Sequence, residues 1–253
     1  MSALTLNPGR LTALGRSELT LLVRNRAALS VALLMPVMMV FVLRSTLSAD
    51  TVGSVAVATL TGGIGMVLLL VVYMNLVSAY VARREELVLK RLRTGEAGDL
   101  EILAGTALPA AVIALAQIGA LALAGAAVLD APAPDNPLPL VAGVLAALPL
   151  LAGMAAATSA FTRNVETAGI TTLPLFLLTA LGSGLFIPLD SLPDAMASVC
   201  ELLPLSGVMT LVRAGWDGGA AGGELLTAGA VTVAWIMATV FAVQRWFRWE
   251  PRR

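Results

Sequence analysis

The sequence has no histidine and a single cysteine, Cys200. Without histidine the commonest catalytic base and the commonest metal ligand are both missing. A His-Glu-x-x-His zinc site is impossible, and so is a Ser-His protease dyad. One cysteine closes no intrachain disulfide and builds no cysteine cluster. Lysine is equally scarce: Lys90 is the only one, and it lies in a charged stretch outside the apolar segments. No Gly-x-x-x-x-Gly-Lys-Ser/Thr phosphate loop occurs, so the chain has no ATP-hydrolysing site of its own. Charge is sparse too, at 13% of 253 residues with a formal net charge of zero. A soluble domain carries about 25%. A neutral chain offers no global field for nucleic acid.

What is present is apolar surface. Hydrophobic residues make up 58% of the chain, and mean hydropathy is +0.89. That surface has to face lipid, and about 20 apolar residues cross about 30 Å of hydrocarbon. Six segments qualify: residues 27–47, 54–80, 102–129, 138–161, 167–187 and 225–243. The sequence therefore predicts an all-α integral membrane protein of six transmembrane helices. The first segment imitates a signal peptide, with a basic flank and Leu47-Ser48-Ala49 after its apolar core. The long stretch before it and the five segments after it argue for an uncleaved span. Ahead of it, Leu11, Leu14, Leu19, Leu21 and Leu22 share one arc of a helical wheel, opposite Arg10, Arg16 and Arg24. This is an amphipathic helix that lies in the interface plane or rests on a partner domain.

Orientation follows from the basic residues. Of the sixteen, all but Arg44 and Arg213 fall on the side that holds both termini and the 2–3 and 4–5 loops. The positive-inside rule puts that side in the cytoplasm. Phe241, Trp246, Phe247 and Trp249 mark the same interface after the sixth span.

Two stretches outside the spans carry pattern. The first is Arg83-Arg84-Glu85-Glu86-Leu87-Val88-Leu89-Lys90-Arg91-Leu92-Arg93-Thr94-Gly95. Glu86 and Lys90 stand four apart in the favourable order for a helix pair, and Gly95 suits a helix stop. A short charged helix here either presents a knob to a partner or only anchors the topology. The second stretch, Leu185 to Trp216, is cut by Pro188, Pro193 and Pro204 into apolar pieces too short to span. Such pieces suit re-entrant or interfacial helices. Within it, Arg213 reaches either a substrate or the lipid headgroups. Inside the spans the polar candidates are Asn75, Gln117 and Glu166. Each reads as a functional group or, equally, as a helix-to-helix bond or local ion pair.

Taken together, these stretches resemble the permease subunits of type-2 ATP-binding-cassette (ABC) exporters, including the daunorubicin-resistance and nodulation-export branches. Arg84-Glu85-Glu86 through Leu89-Lys90-Arg91-Leu92-Arg93-Thr94 is similar to that family's coupling helix. It departs at Leu87-Val88, where a Gly-Thr pair is usual, and at Gly95-Glu96, where a proline often follows. Asn164, Glu166, Thr167 and Ala168 resemble the start of the family's fifth span. Ser183 through Asp190, then Leu192-Pro193, Leu203-Pro204-Leu205 and Arg213, resemble its outer signature.

The resemblance implies a single permease domain over residues 1–253, with a coupling helix between spans two and three and outer re-entrant helices between spans five and six. It implies an exporter, in a bacterial plasma membrane, that is not itself an enzyme and holds no cofactor. ATP would be bound by a separate ABC ATPase subunit, reached through Glu85, Glu86, Lys90, Arg91, Arg93 and Thr94. The assembly would be a homodimer, or a heterodimer with a similar permease. Asn75, Gln117, Glu166, Pro188 and Arg213 are the candidates for pathway or gate. The competing reading is a membrane sensor or scaffold subunit that uses the same loop to dock a partner.

Overall fold

The computed structural model describes residues 49–94, 98–186 and 189–250, with scattered positions between Leu34 and Ser45. The predicted interfacial helix at residues 4–26, much of the first span, Gly95, Ile187 and Pro188 lie outside the described residues. Among the described residues the regular structure is entirely helical. The order is α1 (Ala49–Val67), a π-helical stretch (Leu68–Met74), α2 (Asn75–Glu85), α3 (Val88–Arg93) and α4 (Asp99–Val128). There follow α5 (Pro137–Phe161), α6 (Val165–Gly182), a 3-10 turn (Leu189–Ser191), α7 (Asp194–Glu201), α8 (Ser206–Asp217) and α9 (Gly222–Trp246).

Five helical runs among the described residues are long and apolar enough to cross a membrane: Ala56–Glu85, Asp99–Val128, Pro137–Phe161, Val165–Gly182 and Gly222–Trp246. They coincide with the predicted spans two to six, with shifted ends. The first run continues past the expected Tyr80 to Glu85, and the fourth stops at Gly182, short of the expected Ile187. Of the first span, Leu34, Val40 and Ser45 are among the helical positions described, and Val40 is buried in the core.

Local chemistry sets the helix starts. The Glu101 carboxylate accepts from the Gly98 N–H at 2.9 Å and closes the first turn of α4. Asn136 caps α5, accepting from the Leu138 N–H at 3.1 Å, with Pro137 at the first helical position. Asn164 and Thr167 cap α6 reciprocally: the Asn164 Oδ1 accepts from the Thr167 N–H, and the Thr167 Oγ1 accepts from the Asn164 N–H. Pro109, Pro149 and Pro174 sit inside α4, α5 and α6. Membrane helices accept such prolines where packed neighbours take up the freed carbonyls.

α5 is the central post. It packs against α2, the π-helical stretch, α8 and α9. α8 is short, yet Val208, Met209 and Val212 on it are fully buried. It meets α7 at a bend of 96°, the geometry of a broken span or of a re-entrant loop. Gly207 lets α8 lie directly on α9: a Cβ at that position would sit 2.3 Å from the Ala228 carbonyl oxygen and 2.7 Å from the Thr232 Oγ1. Because the nearer obstacle is backbone, Gly207→Ala has to push the two helices apart. Its expected cost is about 1–3 kcal/mol, read as a lower midpoint in reversible unfolding of the purified protein. Ala228→Gly relieves nothing, since its carbonyl stays in place.

Candidate functional site

The charged stretch is not one helix. α2 runs on to Glu85, then Glu86 and Leu87 turn, and α3 begins at Val88. Leu87 takes a left-handed conformation, φ 59° and ψ 14°. That conformation costs a residue with a Cβ about 1 kcal/mol. The expected Glu86–Lys90 pair does not form across this joint. Lys90 instead meets Glu250, Nζ to Oε1 at 2.8 Å.

Two anchors flank the joint and impose the turn. Arg84 is 1% exposed, although it is a guanidinium at the end of an apolar helix. Its Nη1 donates to the Ser159 carbonyl at 2.8 Å, and its Nη2 to the Thr162 carbonyl at 2.6 Å. Nη2 also reaches the Arg163 carbonyl at 3.4 Å. These carbonyls belong to the last turn of α5 and the two residues after it, at the negative end of the helix dipole, and only the Ser159 carbonyl also takes a backbone N–H there, from Thr162 at 3.2 Å. On the other side of the joint, Leu89 is fully buried. Only Glu85 to Val88 remain to turn the chain between two fixed points.

The six predicted contact residues are all exposed but do not form one surface. Glu85 and Glu86 lie at the end of α2 and in the turn. Lys90 and Arg93, three apart, share one face of α3. Arg93 donates its Nε to the Asp99 carboxylate at 3.1 Å. Leu87, Arg91 and Thr94, spaced four and three, share another face, which is open. The sequence grouped Arg84 with the loop's basic residues. Its burial was not legible there, because nothing local distinguishes it from Arg83.

The pathway candidates are scattered. Gln117 is buried on α4. Glu166 is exposed in the first turn of α6, where a carboxylate suits the helix dipole, and it does not pair with Arg163. Arg213 repeats at the opposite end what Arg84 does: its Nη2 donates to the Ser183 carbonyl at 2.9 Å and to the Gly184 carbonyl at 2.7 Å. These carbonyls follow the end of α6, and Gly184 turns there with φ +71°. Arg213 therefore joins α8 to the fifth predicted span.

Asn75 is exposed as well, and it lies well inside the Ala56–Glu85 run rather than in a first turn. Ala58, Gly62, Met66 and Leu70 follow one another at steps of four down the same run. The π-helical stretch then adds a residue to the turn, so the next position on that stripe is Asn75. Two indoles also fasten the end that holds α7 and α8. Trp216 donates to the Pro132 carbonyl at 3.0 Å, and Trp235 to the Leu202 carbonyl at 2.8 Å.

Residues 10–215 match the family model described as ABC-2 type transporter, which covers most of the chain. No curated protein matches the chain.

Removal of the Arg84 side chain leaves at least two carbonyls of the α5 terminus buried without their charged donor. Arg84→Ala is expected to destabilise the purified protein by about 3 kcal/mol. Arg84→Lys recovers only part, because an ammonium does not span the same carbonyls as a planar fork. The relative unfolding midpoints of the two variants check this.

Proposed function

From the premise that the chain belongs to the ABC-2 type transporter family, as the multi-pass membrane permease component of an ABC transporter, we propose that it exports substrate on energy from a separate ATPase subunit docked at α3. The observation that carries this reading is the rigid joint between α2 and α3. Arg84 and Leu89 fix both sides of the turn, so a force on α3 is passed to the Ala56–Glu85 run rather than absorbed. The whole chain acts as one permease domain, over residues 1–253.

The arginine-rich end, with Arg83, Arg84, Lys90, Arg91, Arg93, Arg163, Arg245 and Arg248, faces the cytoplasm of a bacterial plasma membrane. Both termini then lie on that side. The ATPase contact uses Glu85, Glu86, Leu87, Arg91 and Thr94, all exposed. ATP is bound and hydrolysed by the partner, and this chain contributes no cofactor site. Two copies of the chain, or one copy and a similar permease, face each other across the stripe that holds Asn75. Substrate passes outward between them, and the α7–α8 pair, tied by Arg213, forms the outer gate. The exposed apolar faces and the near absence of charge in the spans favour a hydrophobic or amphipathic cargo.

The experiment is reconstitution of the permease with the ATPase that co-purifies with it. Arg91→Glu or Glu86→Lys is expected to lower permease-stimulated ATP hydrolysis about tenfold, with the protein still folded and dimeric. Unchanged stimulation in both variants overturns docking at α3. Transport into inside-out vesicles that persists without ATP overturns an ATP-driven mechanism.

A further inference from the structure

The last span leads into a segment that folds back over α3. α9 ends at Trp246, and Phe247 turns the chain extended, with φ −63° and ψ 133°. The Phe247 ring meets Tyr80 edge-on, at 6.3 Å between centroids, and meets Trp249 in the same way at 4.9 Å. The Arg93 guanidinium carbon lies 4.8 Å from the centroid of the Trp249 ring. One helical turn away along the same face, Lys90 pairs with Glu250. Tyr80 is itself fixed: it is fully buried, and its hydroxyl donates to the Leu103 carbonyl at 3.1 Å. The end of α9 is thereby joined to α2 through aromatic rings and to α3 through two cations.

Helical spacing gives α3 three faces. Leu89 and Leu92 turn inward, with Leu89 fully buried and Leu92 partly so. Lys90 and Arg93 meet the segment after the last span. Leu87, Arg91 and Thr94 are open. A six-residue helix does not hold itself in water, since so short a helix barely repays its nucleation. Leu89 is its one fully buried residue, and the cation contacts supply the second side of its seat. The Lys90 and Glu250 side chains are 52% and 65% exposed, so the contact is screened and reversible.

We propose that Phe247–Glu250 is a strap that positions α3 and couples the tilt of the last span, α9, to the ATPase contact. Trp249 and Glu250 are positioning residues: they touch neither substrate nor nucleotide and act through Arg93 and Lys90. This rests on the reading of α3 as the ATPase contact, and it divides that contact. Lys90 and Arg93 belong to the strap, while Arg91, Leu87 and Thr94 remain for the partner. The strap lies beyond the matched region, which ends at residue 215. It is a second input to α3, independent of the one through Arg84.

The strap itself is tested by cross-linking in native membranes, in a Cys200→Ser background that removes the one native thiol. The pair Lys90→Cys with Glu250→Cys is expected to cross-link readily with a short bis-maleimide. The pair Arg91→Cys with Glu250→Cys is expected to do so several-fold less, because Arg91 lies on another face. Equal yields from the two pairs overturn the strap. So does no cross-link from the first pair while both of its thiols label with a mono-maleimide.

The coupling is tested in the assembled complex with its ATPase. Lys90→Glu is expected to lower stimulated hydrolysis about threefold, and Lys90→Glu with Glu250→Lys to restore it. Trp249→Leu is expected to lower it as well, with Trp249→Phe retaining most of the stimulation. ATPase pull-down stays normal in these variants, because the open face is intact. Loss of pull-down in Lys90→Glu that Glu250→Lys fails to restore means Lys90 meets the ATPase directly, and overturns the strap. Normal hydrolysis in every strap variant overturns the coupling. Failure of the docking reading is seen separately, in the Arg91→Glu variant.

Discussion

In a molecule surrounded by hydrocarbon, the carbonyls at a helix end are its most demanding atoms. Four of them have no intrahelical partner, and water is not at hand inside a packed bundle to replace one. Here two arginines from neighbouring elements answer that demand. Arg84, on α2, closes the end of α5, and Arg213, on α8, closes the turn after α6. Each brings a full charge to the negative end of a helix dipole. Each also ties two elements together, and at α8 the Ser206 hydroxyl adds a second tie, to the Gly182 carbonyl at 3.2 Å. The fixed geometry at both ends of the bundle follows from these two side chains. The joint that positions α3 depends on the first, and the seating of the bent α7–α8 pair on the second.

The coarse architecture was legible because hydrocarbon imposes a length and a composition that no soluble fold needs. The five helices long and apolar enough to cross among the described residues fall where runs of Leu, Ala, Val and Gly fall, and Pro193 and Pro204 bracket α7, which meets α8 at the 96° bend. Ends were harder to read. The helix through Tyr80 continues to Glu85 because Arg84 finds carbonyls of α5, a partner 75 residues away in sequence. The helix expected to reach Ile187 stops at Gly182, because the turn at Gly184 and the reach of Arg213 end it. Both boundaries are tertiary facts.

The charged stretch was legible as a stretch, but its division into faces was not. Sequence put Glu85 to Thr94 in one functional group, since charge and spacing mark the stretch as a whole. What divides it is contact with Phe247, Trp249 and Glu250, far along the chain. Those aromatics carried a perfectly good local explanation, an interfacial belt after a span, and their second role left no separate trace. The π-helical stretch is a similar case. Leu68 to Met74 is uniformly apolar, so no residue announces the extra one in the turn. Yet that residue decides that Asn75, rather than Met74, continues the stripe through Ala58, Gly62, Met66 and Leu70.

Leu87 holds the remaining lesson. Chains that resemble this one commonly carry glycine at the joint, and glycine accepts a left-handed backbone freely. Leucine does not, and here it is held at φ 59° because Arg84 and Leu89 leave the chain no other way round. A glycine joint behaves as a loose pin, in which some rotation is lost before load is felt. A leucine joint has less play. On the proposed reading of α3 as the ATPase contact, motion entering there is delivered to the membrane with little backlash, at the expense of the angular tolerance with which a partner can seat.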